Sequence, residues 1–466
     1  MICEPINVVP APPTRRNAPR AISLFSCGGI GDLALHAAGI ETILSNELVP
    51  ERHETFKHNF PTVECLTGDV WQLQDEIVAR TRHLLGDDKL DVLYATPPCQ
   101  GMSKNGRGKL LNAIRAGIKP EIDERNLLII PTMRIAQALR PVTVILENVP
   151  EMQDTAIPVD GNLRNVIEFV AASLGKEYVG RAEVVEFADY GVPQCRQRLI
   201  TIFSRHPSMI THFLRNGTFL PPPSHSARAG NGRKKWVTLR DAIGKVPSLD
   251  AVSEAAACCP GHEYHKVPIL DAEKYFWVSN TPPGKGAFDN QCVKCGYKGN
   301  PTHGCRIGED GINRTFTDTP IRCLKCGELL PRPWVREGDD YRLMKGFTSA
   351  YKRMDWDSPA PALTRNYSYA CSDNKLHPVQ NRVLSTYEAM IVHTITDFDY
   401  EWKRSSGKKC SEKLIRELIG ESIPPRGLKV IMDFLVRIIT EEAKDEILYD
   451  SRQPAQLTLF DDGVAH

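Results

Sequence analysis

At 466 residues with 41% hydrophobic content, the chain can bury a large core and exceeds the usual size of one domain, so two or three domains are expected. No apolar run reaches bilayer length and the proline- and arginine-rich start lacks the apolar stretch of a secretory signal, so a cytoplasmic protein with no membrane contact is expected. A monomer is expected as well, although nothing in the sequence fixes the oligomeric state. A formal charge of +1 excludes a globally basic nucleic-acid binder and leaves only a local patch, while 14 cysteines in so long a chain point to metal sites, catalysis or burial and not to a disulfide framework.

Residues 1–20 carry five prolines with Arg15, Arg16 and Arg20, and read as a flexible arm because little of the segment could be buried. An α/β domain is expected over 21–204. Its first strand pattern, AISLF, runs into the glycine turn CGGIG, and the helical pattern DLALHAAG follows with Gly39 as its stop. Further strands are expected at ETILSNE, LDVLYATPP, VTVILENV and RLITIFS, with a helix around RNLLIIPTMRIAQAL. Strand and helix in alternation predict a parallel sheet covered on both faces.

Over 205–410 the composition shifts to PPPSH, the basic stretch RAGNGRKKW, two Cys-x-x-Cys pairs and many glycines and prolines, which predicts a second, smaller domain of short strands around a metal. Cys292 and Cys295, then Cys323 and Cys326, form two knuckles each followed by glycine. This is zinc-ribbon spacing, placed at about 288–330, and four thiolates suit closed, structural zinc. Cys258, Cys259, His262 and His265 offer a second donor set, although adjacent cysteines and irregular spacing favour ordinary burial. Arg233, Lys234 and Lys235 supply local positive charge for phosphates or form a solvated basic loop. A closing segment is expected at 411–440, with LKVIMDFLVRII as its apolar helix, and a polar tail at 441–466.

The sharpest local signal is Pro97, Pro98, Cys99 and Gln100 at the end of the LDVLYAT strand, where open α/β sheets bind ligands. The loop that continues it, Gly101 to Gly108, carries glycines and basic residues, and suits a cover over the site or a plain surface loop.

With SLFSCGGIGD, SNE, GDV, PPCQGMS, ERNLL, LENVP, QCRQR, RLMKGF with PAPALT, HPVQNRVLS and LIGESIPP in this order, the chain resembles the cytosine carbon-5 DNA methyltransferase family from about residue 21 to 430. The resemblance implies a Rossmann-like domain that uses S-adenosylmethionine, a target-recognition domain, which here carries the zinc ribbon, and double-stranded DNA as substrate. It places the enzyme on the nucleoid, alone or beside a restriction enzyme.

By the same resemblance Cys99 is the nucleophile, Glu147 holds the proton at ring nitrogen 3, and Arg196 and Arg198 supply positive charge near the base. Phe25, Ser26, Gly28, Gly29, Glu47, Asp69, Pro98 and Ser422 are implied as cofactor neighbours. Glu47 is matched to the ribose hydroxyls and Asp69 to the adenine amine. Cys27 and Ile30 stand where glycine is usual, and Glu421 where asparagine is common. An RNA cytosine methyltransferase and a DNA-binding regulator with an inactive core are the alternatives. In the tail, Gln456, Leu457, Thr458, Leu459 and Phe460 resemble the peptide by which bacterial replication proteins dock on the sliding clamp, against a tail that folds back on its own core.

Overall fold

The structure is a computed structural model that describes residues 18–98, 124–308, 313–316, 318–344 and 348–441. Most of the proline-rich arm, Cys99 with the loop that follows it, and the tail with Gln456, Leu457, Leu459 and Phe460 lie outside the described residues.

Seven strands form the main sheet: β1 (Arg20–Leu24), β2 (Glu41–Glu47), β3 (Glu64–Thr67), β4 (Val92–Ala95), β5 (Thr143–Asn148), β6 (Val179–Glu186) and β7 (Gln197–Ser204). Their order is β3-β2-β1-β4-β5-β7-β6. β1 to β5 are parallel, while β7 runs antiparallel to both of its neighbours. The sheet is therefore mixed and not wholly parallel as expected. A strand buried on both faces is an apolar run that reads the same in either direction, so RLITIFS carries no sign of its orientation.

Two strands were not expected. ECLT is too short to stand out, and VGRAEVVE alternates charged and apolar residues as an edge strand does, with Glu186 and Glu183 among its partly buried positions.

One face of the sheet is covered by the helices Val70–Leu85, Ile129–Leu139 and Val166–Leu174. On the other lie Ile30–Ala37, Pro207–Asn216 and Pro425–Glu441, packed around Leu35, Ile145, Ile202, Met209 and Met432. The helix Pro207–Asn216 thus joins the sheet core although its sequence follows the expected boundary at 204, because Met209 and Phe213 give it an apolar face. The long helix near the chain's end lies against the first, Ile30–Ala37, and brings the C-terminal segment back beside the start of the sheet. ERNLL forms a 3-10 turn, Glu124–Leu128, that leads into the helix Ile129–Leu139.

The remainder combines short helices, Leu239–Ile243, Ala272–Ser279 and Thr386–Val392 among them, with short ribbons, Cys305–Ile307 with Asn313–Thr315 and Trp334–Glu337 with Asp340–Leu343. Its centre is an aromatic core and not the metal-ligand cluster alone. Trp277 meets Trp334 edge-on at 5.3 Å and Tyr351 at 5.5 Å. With few ladders to pair its backbone, this region uses buried Arg353, which donates to the carbonyls of Val278, Thr281, His377 and Gln380. Among the described residues no helix is long and apolar enough to cross a membrane.

Candidate active site

The carboxyl ends of the parallel strands converge on one rim, and the turn after β1 opens it. Phe25 (φ 58°) and Cys27 (φ 52°) are held in the left-handed region despite their side chains, followed by Gly29 at φ 82°. A Cβ on Gly29 would come within 2.5 Å of Phe60, and one on Gly28 within 2.9 Å of both Leu418 and the Tyr400 hydroxyl. Only glycine fits there, which leaves a strained, closely packed turn of the kind that binds ligands.

Glu47 ends β2 and fixes this turn. Its two carboxylate oxygens accept from the backbone N–H groups of Cys27 and Val49, each at 2.9 Å. Ser26 donates its N–H to the carbonyl of Asn46 at 3.0 Å. Asp69, after β3, caps the helix Val70–Leu85 by accepting from Trp71 N at 3.0 Å. Beside Glu47, Leu48 is 61% exposed. Burial and the neighbouring Glu47 push the Cys27 thiol up to about 12, so this cysteine stays protonated and inert.

Past β4, the Thr96 hydroxyl donates to the carbonyl of Phe25 at 2.9 Å, and Asn148 donates to the carbonyl of Pro97 at 2.9 Å. Asn148 thus tethers the segment Pro97–Pro98 just ahead of Cys99. The sequence reading singled out its neighbour Glu147 and missed it.

Glu147 is 8% exposed and lies opposite Ile200 across the antiparallel β5–β7 pair. Arg198, two residues away on β7, sits on the same face within diagonal reach. Its Nε lies 2.8 Å from Glu147 Oε1. The two groups touch, although their geometry is not that of a directed hydrogen bond.

Arg196 is turned elsewhere. It is 2% exposed and donates to the carbonyls of Leu363 (2.7 Å), Gly420 (3.0 Å) and Ser422 (2.6 Å). The expected pair of arginines is therefore divided: Arg198 faces Glu147, and Arg196 is spent on the backbone of the returning segment. Burial, first, and the charge of Arg198 depress its pKa well below the usual range.

That segment closes on the glycine turn. The Tyr400 hydroxyl donates to the carbonyl of Gly28 at 2.7 Å. Glu421, at the end of the helix Glu412–Glu421, pairs with Arg52 at 2.8 Å, which gives the residue found in place of the family's asparagine a structural partner. Ser422 Oγ lies 3.0 Å from His393 Nε2, and Gln194 lies 3.2 Å from the other ring nitrogen. Phe25, Ser26, Gly28, Gly29, Glu47, Asp69, Pro98, Glu147 and Arg198 thus belong to the strand ends or the turns directly after them, while Ser422, bonded to His393 and Arg196, follows a helix whose Leu418 lies against Gly28.

The Sγ atoms of Cys292, Cys295, Cys323 and Cys326 lie within 4.8 Å of one another, with Cys292 to Cys326 at 3.6 Å and Cys295 to Cys323 at 3.7 Å. A tetrahedral zinc with Zn–S near 2.3 Å requires S–S edges of about 3.8 Å. The donor set fits the metal. Gly296 (φ 68°) and Gly327 (φ 70°) supply the left-handed residue that turns each knuckle. The second donor set does not gather: His265 uses both ring nitrogens on Ser385 and the carbonyl of Pro247, and Cys258 is exposed.

A family model described as C-5 cytosine-specific DNA methylase matches residues 20–437. The chain belongs to that family. The methyltransferase is 26% identical over 434 residues to the Type II methyltransferase M1.HgaI of Avibacterium volantium, covering 91% of this chain and 98% of that one. It is 31% identical over 259 residues to M1.HphI of Haemophilus parahaemolyticus, covering 56% and 60%. Among solved structures, a prophage-encoded DNA modification methyltransferase of E. coli superposes with TM-score 0.49 at 18% identity, covering 90% of this chain and 99% of that one. The protein is a DNA cytosine-5 methyltransferase, and the RNA alternative is not favoured.

Proposed function

We propose that the methyltransferase acts on a cytosine flipped out of a specific duplex sequence, with Cys99 as nucleophile and Glu147 and Arg198 at the base. The observation that carries this reading is the pairing of Glu147 with Arg198 at the strand ends, next to the Asn148 tether that fixes Pro97. S-adenosylmethionine, when bound, supplies the methyl group. Phe25, Ser26, Gly28, Gly29, Glu47, Leu48, Asp69, Pro98 and Ser422 would hold it, and the close-packed glycines and the carboxylate ending β2 suit such a ligand.

Carbon 5 of cytosine is a poor nucleophile. The Cys99 thiolate adds to carbon 6, Glu147 hydrogen-bonds or protonates ring nitrogen 3, and the electron pair pushed to carbon 5 takes the methyl group. Loss of the carbon-5 proton to a base then expels the thiolate, and as the ring is restored any proton on nitrogen 3 returns to Glu147. Flipping costs a few kcal/mol and is required because the reacting carbon is out of reach inside the stack.

The zinc ribbon and the aromatic core around Trp277 form the target-recognition region in this reading, with Arg233, Lys234 and Lys235 as phosphate contacts. The tail residues Gln456, Leu457, Leu459 and Phe460 would tether the enzyme to a bacterial sliding clamp, alone or in a host that also carries a restriction enzyme. A peptide spanning Ser451 to His466 should then bind a clamp, and lack of binding would remove that part. Expression in a host without cytosine methylation, followed by methylation sequencing, tests the whole. Carbon-5 methylation confined to one short sequence is expected, and unmodified DNA would contradict it.

A further inference from the structure

Two buried polar atoms beneath the site make no hydrogen bond among the described residues: Tyr94 Oη and Glu147 Oε1. They come from adjacent parallel strands. Tyr94 on β4 is in register with Ile145 on β5, so Glu147, two residues further on, shares its face of the sheet. The Tyr94 ring leans toward the strands' carboxyl ends, since a Cβ on Gly31, in the first turn of the helix after β1, would lie 2.8 Å from Oη. Tyr94 is 2% exposed, and of the charges acting on its phenol Glu147 comes first, ahead of Asp32. Burial raises the phenol's pKa well above its ordinary value, so it remains a neutral donor. Phenylalanine would fill this volume without the cost of a buried hydroxyl that lacks an acceptor.

We propose that Tyr94 is a positioning residue for Glu147, its hydroxyl donating through one buried water to Oε1 so that the carboxyl's proton stays on Oε2, toward the base. A water can serve here because the phenol hydroxyl has no other partner among the described residues and Glu147 Oε1 can accept a second donor beside Arg198. Arg198 Nε stands 2.8 Å from the same oxygen. Donors from β4 and β7 then both face Oε1, and a proton placed there would oppose them. The groups facing this pair are Arg198 and Arg196 from the β7 side and, beside Tyr94, Asp32 from the first helix.

The inference rests on the proposed role of Glu147, so Tyr94→Phe and Glu147→Gln are measured beside the wild type. The readouts are kcat, the KM for DNA, cofactor Kd and melting temperature, with the double variant measured beside both single ones. Tyr94→Phe should lower kcat about threefold to tenfold while cofactor Kd and the KM for DNA stay unchanged. Added to Glu147→Gln, Tyr94→Phe should cost nothing further, because the hydroxyl acts only through that carboxyl.

Wild-type kcat in Tyr94→Phe overturns the inference, as does a further fall in kcat when Tyr94→Phe is added to Glu147→Gln. A raised melting temperature with unchanged kcat would identify the hydroxyl as unpaired and overturn it too. A matching loss of cofactor affinity would place the hydroxyl at the cofactor instead and contradict the proposal. Full activity in Glu147→Gln would remove the role of Glu147 itself, a failure separate from that of Tyr94.

Discussion

Glu147 and Arg198 meet because β5 and β7 run in opposite directions and place the two side chains on one face, a diagonal step apart. If Glu147 acts on the ring in the transition state, Glu147→Gln should lower kcat by about 10²- to 10⁴-fold while equilibrium binding of the cofactor is unchanged. An equal loss of cofactor affinity would count against that role. Asp32 makes a different prediction. It is buried beneath the glycine turn, accepts from the hydroxyls of Ser23 and Thr42, and burial raises its carboxyl to about 7. An acid with a raised folded-state pKa contributes most below its unfolded value and loses that contribution as pH rises through the folded one. Urea unfolding should therefore show the wild type losing stability relative to Asp32→Asn between about pH 4 and pH 7. Parallel pH dependence of the two proteins would contradict this. From sequence Glu147 stood out at the end of an apolar strand, and the structure sets it against Arg198. Asn148 was passed over because an asparagine at a strand end carries no mark of the carbonyl that it holds.

At the scale of elements, the returning segment over Leu363, Gly420 and Ser422 explains why two arginines in QCRQR do different work. The pattern places both near the site, but it cannot tell which side chain faces the base and which faces the backbone of a segment more than 160 residues away. Arg196→Lys has one nitrogen where three carbonyls were served, so cofactor affinity should weaken about tenfold, with kcat at saturating cofactor changed much less. Collapse of kcat with unchanged cofactor affinity would return Arg196 to the chemistry. The same limit applies to strands. β1, β4 and β5 were legible as buried apolar runs, whereas the reversed direction of β7 and the charged edge strand β6 depend on neighbours that no local pattern specifies.

For the whole molecule, the α/β character and the change of composition near residue 205 were legible, because a sheet buried on both faces and a glycine- and proline-rich region differ in kind. The aromatic core around Trp277 was not, since its members are scattered from Trp277 to Tyr351 without a period. The cysteine cluster joins this region through two knuckles, and one zinc per chain should appear in protein purified without chelator. Cys323→Ser should lose that zinc together with sequence preference on DNA, while cofactor binding survives, and metal-free native protein would remove the claim. The central claim is that this chain methylates cytosine through a covalent bond from Cys99, and it is tested most directly by incubating the enzyme and cofactor with duplex DNA containing 5-fluorocytosine. Fluorine at carbon 5 cannot leave as a proton, so the wild type should remain attached to the DNA through denaturation and Cys99→Ala should not; methylation by Cys99→Ala at the wild-type rate, with no attached species from either protein, would contradict the account.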